Sequence, residues 1–152
     1  MLGEISRAEK RTARLMIQKA PGSFQVYWQD DARSILVADF PQRWSMDDVY
    51  PVLDHMADMM DDGADEQAIV FNLTGSFLPP DAGKHFRRLL STRVIEHHSL
   101  KLAIAVTGGI RLADVTVNVF NRLHQLFHDF PLLNAETLST ALQTIAEYRA
   151  NN

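Results

Sequence analysis

The chain contains no cysteine. That absence excludes a disulfide framework, a thiolate metal site and a cysteine nucleophile. Charge of one sign is also lacking. Fifteen Lys and Arg against 19 Asp and Glu leave a net charge of −4, which argues against nucleic acid as the main partner. No stretch reaches the roughly 18 apolar residues of a membrane span, so no membrane insertion is expected. Met1 to Ala20 holds five basic residues and lacks the long apolar run of a signal peptide. The expected location is the cytoplasm. A Walker A loop, a dinucleotide fingerprint and a complete catalytic motif are all missing, and no cofactor is expected.

What is present describes a globular chain. There are 152 residues, of which 46% are apolar and 22% charged. That length gives one domain and a core that needs no staples. Residues 1–22 read as an N-terminal helical arm, with helix formers such as Ala8, Ala13, Leu15 and Met16 ended by Pro21-Gly22. Residues 23–150 read as one α/β domain.

Within that domain, Phe24, Val26 and Trp28 alternate as a half-buried strand does. The polar turn Asp30-Asp31-Ala32-Arg33 leads into Ser34–Phe40, so the two runs form an antiparallel hairpin. Ser45-Met-Asp-Asp48 opens a helix with a capping hydroxyl and two first-turn carboxylates. That helix carries Val49, Leu53, Met56 and Met60 on one face, is expected to kink at Pro51, and ends at Gly63. Strands at 67–73 and 100–106 are near-continuously apolar, as when both faces are covered. Helices are expected from Asp81 to His97, from Asp114 to His128 and from Thr137 to Arg149. A short edge strand, Phe130–Leu133, contains Pro131. The resulting order is β-β-α-β-α-β-α-β-α. It implies a single mixed, mostly parallel sheet with right-handed crossovers.

Several residues invite chemistry. Thr107-Gly108-Gly109-Ile110-Arg111 joins a strand to a helix and offers N–H groups and a cation to an anion. Glycines for a tight turn are the simpler reading. His124 and His128 have metal-ligand spacing, but the Glu of the helical zinc motif is absent, and boundary histidines are the simpler assignment. His97-His98 suits a cationic helix end. The charges are segregated: 47–66 holds eight acids and no base, and 84–93 holds four bases and no acid. Two solvated helix faces are the ordinary explanation. Two distinct electrostatic surfaces, meeting a partner or one another, are the sharper one.

One segment carries a family resemblance. Ile69-Val-Phe-Asn-Leu-Thr-Gly-Ser-Phe-Leu-Pro-Pro-Asp-Ala-Gly83 resembles the phosphorylation segment of the STAS family, the sulfate-transporter and anti-sigma-factor-antagonist domains. There a strand ends in Asp-apolar-Ser/Thr, and Asp-Ser-Ser/Thr-Gly opens the next helix. Its second hydroxyl residue is phosphorylated. Here Asn72 takes the first Asp position, Leu73, Thr74 and Gly83 match, and Pro80, Asp81 and Ala82 replace the Asp and both hydroxyl residues. The element order of 24–149 is also similar. The resemblance implies a STAS-like fold and a protein-binding surface around the loop and the following helix, without the phospho-switch. Asp81 is then a helix N-cap.

Parallel sheets bind at the carboxyl ends of their strands. Thr74, Gly75, Ser76, Asp81, Thr107, Gly108, Gly109 and Arg111 are expected to converge there, next to Lys84, His85, Arg87 and Arg88. The first functional reading is a non-catalytic interaction module with a protein partner at 74–88. The alternative is a small-ligand module holding an anion, nucleotide or lipid head group between the 74–81 and 107–111 loops. An enzyme with Asp81 or a histidine as general base ranks last, because no nucleophile or metal set accompanies it. A homodimer is compatible with each reading.

Overall fold

The structure, a computed structural model, describes residues 23–108 and 128–152, with positions 117, 118, 121, 122, 124 and 125 between them. The expected N-terminal arm (1–22) lies outside the described residues, as do Gly109 and Arg111.

Five strands form one sheet in the order β1-β2-β3-β4-β5. They are β1 (Gln25–Trp28), β2 (Ile35–Asp39), β3 (Gln67–Asn72), β4 (Leu100–Val106) and β5 (Leu132–Ala135). β1 pairs antiparallel with β2, and every later pairing is parallel. This is the expected mixed, mostly parallel α/β sheet. The hairpin turn is held by Asp30. Its Oδ1 accepts from the N–H groups of Ser34 at 2.9 Å and Ile35 at 3.0 Å, and its Oδ2 accepts from the Ser34 hydroxyl. Arg33 takes φ +55° to close the turn, a conformation uncommon outside glycine.

Strand residues sort alternately to two cores. Leu36, Ala38 and Ile69 face one core with Val49, Val52, Leu53, Met56 and Met60. Val37, Ala68, Val70, Leu102, Ile104 and Val106 face the other with Ala141 and Ile145. This is the period-2 geometry of strands, with both sides used. The first core is covered by α1 (Met46–Asp61). Ser45 caps that helix reciprocally: its hydroxyl accepts from the Asp48 N–H, and Asp48 accepts from the Ser45 N–H at 2.9 Å. α1 is one continuous helix across Pro51, which forfeits a single bond to the residue 47 carbonyl. The methionines of α1 fill the core, with Met46, Met56, Met59 and Met60 all buried.

Two segments differ from the sequence expectation. The helix predicted over 81–97 is a 3-10 turn, Ala82–His85, followed by the five-residue α2, Phe86–Leu90. The stop has a local cause. The Ser91 hydroxyl donates to the Arg87 carbonyl and the Thr92 hydroxyl to the Leu89 carbonyl at 2.7 Å. These bonds satisfy the carbonyls that a longer helix would use. The last strand lies at 132–135 instead of 130–133, because Pro131 has no N–H and contributes only its carbonyl, to the Ala103 N–H. β5 is nevertheless the edge strand, as expected. α3 (Leu138–Ala150) follows, N-capped by Thr137, and covers the second core. The described positions from 117 to 125 are helical, in line with the helix expected there.

Gly63 ends the turn after α1 because of space. A Cβ there would lie 2.6 Å from both Trp28 Cη2 and Gln67 Nε2, and 2.9 Å from the Arg33 carbonyl. Gln67 is itself fixed, since its buried amide donates to the Met60 and Ala64 carbonyls at 2.9 and 2.7 Å. Gly63→Ala is therefore expected to destabilise the fold by about 2 kcal/mol, read from urea denaturation. A loss under about 0.5 kcal/mol contradicts this tight packing.

Tyr27 generates an alkaline prediction. Burial of its phenol, with the Asp39 charge and hydrogen bond added, raises its pKa from 10.0 to about 12. The unfolded tyrosine ionises first, so this stabilisation is complete below its ordinary pKa and is lost as pH rises through about 12. Wild type is expected to lose more stability than Tyr27→Phe across that window in parallel denaturation series.

Candidate functional site

The carboxyl ends of β3 and β4 carry the loops that the sequence singles out. Asn72 pairs in register with Asp39, and its side-chain N–H donates to Asp39 Oδ1 at 2.9 Å. Its carbonyl oxygen accepts from the Thr74 N–H. Asn72 is thus bound within the sheet end. Thr74 is exposed and lies against Gly108, whose φ is +68° and whose Cβ position is 3.5 Å from Thr74 Cα. The two loops do meet.

Other members of the expected cluster do structural work. Ser76 is buried, and its hydroxyl donates to the Pro41 carbonyl at 2.5 Å, with the Phe40 carbonyl at 3.2 Å. That ties the β3 loop to the segment leaving β2. Thr107 is buried too, and its N–H bonds the Ala135 carbonyl. The Gly108 N–H bonds the Glu136 carbonyl at 2.9 Å. Both backbone donors that an anion would need at 107 and 108 are therefore spent on the end of β5.

Asp81 is not the side-chain cap that the sequence predicts. The 3-10 start places its backbone, not its carboxylate, at the turn: the Lys84 N–H bonds the Asp81 carbonyl. Its carboxylate approaches His85 Nε2 at 3.4 Å. On the other side of the ring, His85 Nδ1 lies 2.7 Å from the Tyr50 hydroxyl. Arg88 completes the group, its guanidinium carbon 3.7 Å from the Tyr50 ring centre. Burial raises the Tyr50 pKa, the Arg88 charge lowers it, and Asp47 and Asp81 raise it, with a net upward shift. The sequence pointed to Asp81 and Arg88 separately. The sequence placed His85 on the same surface, but Tyr50 was not among its candidates, because it comes from α1 and only the packing of α1 against the 82–90 segment brings it there.

The acidic and basic blocks also meet within the chain. Arg93 Nη2 is 2.8 Å from Asp58 and 3.9 Å from Asp61, and Nη1 is 3.5 Å from Asp54. These acids lie on one face of α1 at the spacing of successive turns. His97 Nε2 lies 2.9 Å from Asp61, while its Nδ1 accepts from the Ser99 N–H. His97 is thus an acid-face contact and not the helix-end cap expected. Part of the acidic block is neutralised at home, and the two blocks are not two independent surfaces. Lys84 and Arg87 stay exposed and have no acidic partner among the described residues. Beside the loop, Phe77 is 57% exposed, with the Arg43 guanidinium 5.8 Å from its ring centre.

The histidine pair of the 117–128 region is also committed. His124 Nε2 lies 2.8 Å from the Phe130 carbonyl and His128 Nε2 3.0 Å from the Leu90 carbonyl, and the two rings stack at 4.9 Å. Among the described residues no group of three His, Cys, Asp or Glu side chains can hold a metal ion. No helix among them is long and apolar enough to cross a membrane. Comparison with protein-family models, curated proteins and solved structures finds no match to this chain.

The ion network on α1 is exposed, so salt screens it. Arg93→Ala is expected to lower the Tm modestly at low salt. The deficit should shrink in roughly 1 M NaCl, measured by thermal denaturation. A deficit independent of salt contradicts the electrostatic assignment.

Proposed function

We propose that the chain is a non-catalytic interaction module of the STAS-like kind. Its partner is a protein that docks on the 74–88 surface, and no phospho-switch operates. The observation that carries this reading is the exposed pair Lys84 and Arg87, which have no acidic partner among the described residues, on the same 74–88 segment as the exposed Phe77. An exposed aromatic and exposed cations on one segment are the composition of an interface anchor with a steering rim. The partner's complementary face is acidic around an apolar pocket. The Arg93 contacts tie part of the acidic block within the chain, while Lys84 and Arg87 are exposed on the basic side.

The loss of the switch is consistent with packing. Ala82 stands at the phosphoacceptor position and is buried in the first core. A methyl group there has no oxygen to phosphorylate, and the site is committed to the interior. Support for the STAS-like assignment comes from the mixed sheet and from the matched 69–83 segment leading out of β3. The anion-binding alternative is not favoured, given that the 107 and 108 donors are spent.

The test is affinity capture from cells that make the protein, with wild type against Lys84→Glu/Arg87→Glu. Both substituted residues are exposed, so the fold is expected to persist, checked by circular dichroism. A specific protein should be retained by wild type and reduced at least about tenfold with the double variant. Equal recovery, or no specific protein with wild type, overturns the proposal.

A further inference from the structure

β5 is an edge strand, and its two sides are used differently. The Ala103 N–H bonds the Pro131 carbonyl at 3.1 Å, and the Thr107 N–H bonds the Ala135 carbonyl at 3.0 Å. The backbone polar groups of residues 131, 133 and 135 therefore point to β4, and those of Leu132 and Asn134 point away from it. On that outer side Leu132 and Asn134 have no backbone partner among the described residues. Pro131 does not blunt the outer side, because the N–H it lacks would face β4.

The outer edge also lacks the protection that edge strands usually carry, such as charges or bulges. β5 reads Leu-Leu-Asn-Ala, without a charge, and its pairing with β4 runs without a register shift. Leu133 is 36% exposed and, with Phe77, is one of the exposed large hydrophobics among the described residues. It pairs in register with Ile104, a residue of the second core, so its side chain lies on the α3 face of the sheet.

These features fit a second copy of the same strand. The outward groups sit evenly about Leu133, at 132 and 134. With two β5 strands antiparallel and Leu133 opposite Leu133, Leu132 of each copy faces Asn134 of the other. Those residues then exchange both of their hydrogen bonds. Leu133 takes the non-hydrogen-bonded position, where opposed side chains approach most closely. The flanking acids meet neutral residues: Asp129 falls opposite Thr137, and Glu136 opposite Phe130. No like charges are opposed. β1, the other edge, offers less. Val26 and Trp28 are buried there and Tyr27 is half-buried, so pairing would cover no exposed apolar side chain.

We propose that the chain forms a symmetric homodimer through the outer edge of β5, with Leu133 packed on its own copy at the two-fold axis. The axis is perpendicular to the sheet, so the two sheets become one and the assembly closes as a dimer. The interface shares no residue with the 74–88 surface, so it stands or falls independently of the partner proposal.

A contact of this kind is small, and small interfaces are weak. Sedimentation equilibrium of the whole chain is expected to show monomer and dimer in exchange, with a Kd of roughly 1–100 μM. Leu133→Lys opposes like charges at the axis and should weaken the dimer at least about tenfold, as should Leu133→Glu. An equimolar mixture of the two variants should restore it, because opposite charges then face one another. Asn134→Pro removes an outward N–H and leaves the β4 side intact, and it serves if the charged variants do not fold. Amide hydrogen exchange by NMR gives the position of the seam. The Leu132 and Asn134 N–H groups should slow as concentration rises, while the Leu133 N–H, on the β4 side, does not change. The proposal fails if the chain stays monomeric at roughly 1 mM. It fails if the folded variants dimerise as wild type does, or if mixing Leu133→Lys with Leu133→Glu restores nothing. Slowing at Val26 and Trp28 in place of Leu132 and Asn134, or growth beyond the dimer, also overturns it.

Discussion

The central strands β2, β3 and β4 are covered on both faces, and that double burial constrains everything around them. Leu36 and Ile69 point to one core while Val37, Ala68 and Val70 point to the other. A shift of one residue in register would exchange the two sets. The parallel pairings β2–β3 and β3–β4 hold the register along the strands, apart from one irregularity at Gln67. Two layers of helix are then obligatory, one for each face. α1 supplies the first with its methionine-rich stripe, and α3 supplies the second through Ala141 and Ile145.

The ends of these elements are secured by polar side chains at few points. Gln67 bonds two carbonyls at the end of α1. Ser76 holds the segment after β2. Arg149 reaches from α3 to the Ser34 carbonyl at 2.8 Å. Each joins parts of the chain whose backbone groups would otherwise compete for water. The result is a well-tied frame at the sheet edges and a looser passage at 74–90, where the helix is broken and the aromatic side chain of Phe77 is exposed.

That passage collects the unassigned polar groups of the molecule. Tyr50 hydrogen-bonds one ring nitrogen of His85 and the Asp81 carboxylate approaches the other at 3.4 Å, beside the Arg88 guanidinium. The evident effect is to lock α1 to the 82–90 turn and to orient Arg88. Lys84 and Arg87, on the same short segment, carry no such ties and project to solvent.

The sequence by itself determined the sheet strands, the Ser45 cap, the methionine core and the edge position of the last strand. These follow from local periodicity, side-chain hydrogen bonding and the missing proline N–H, none of which needs distant partners. It also led to the 74–88 and 107–108 loops, because glycines and strand ends are visible in one dimension. Only the tertiary structure decided what those residues do. Ser76 and Thr107 face inward because carbonyls from other segments reach them. Asp81 lies beside His85 because the chain starts there as a 3-10 turn that does not use its carboxylate as a cap. The segregated acids and bases look like two surfaces in sequence, yet Arg93 closes three of the acids into one network. The charge pairs join residues more than 30 positions apart, and sequence spacing carries no direct record of them.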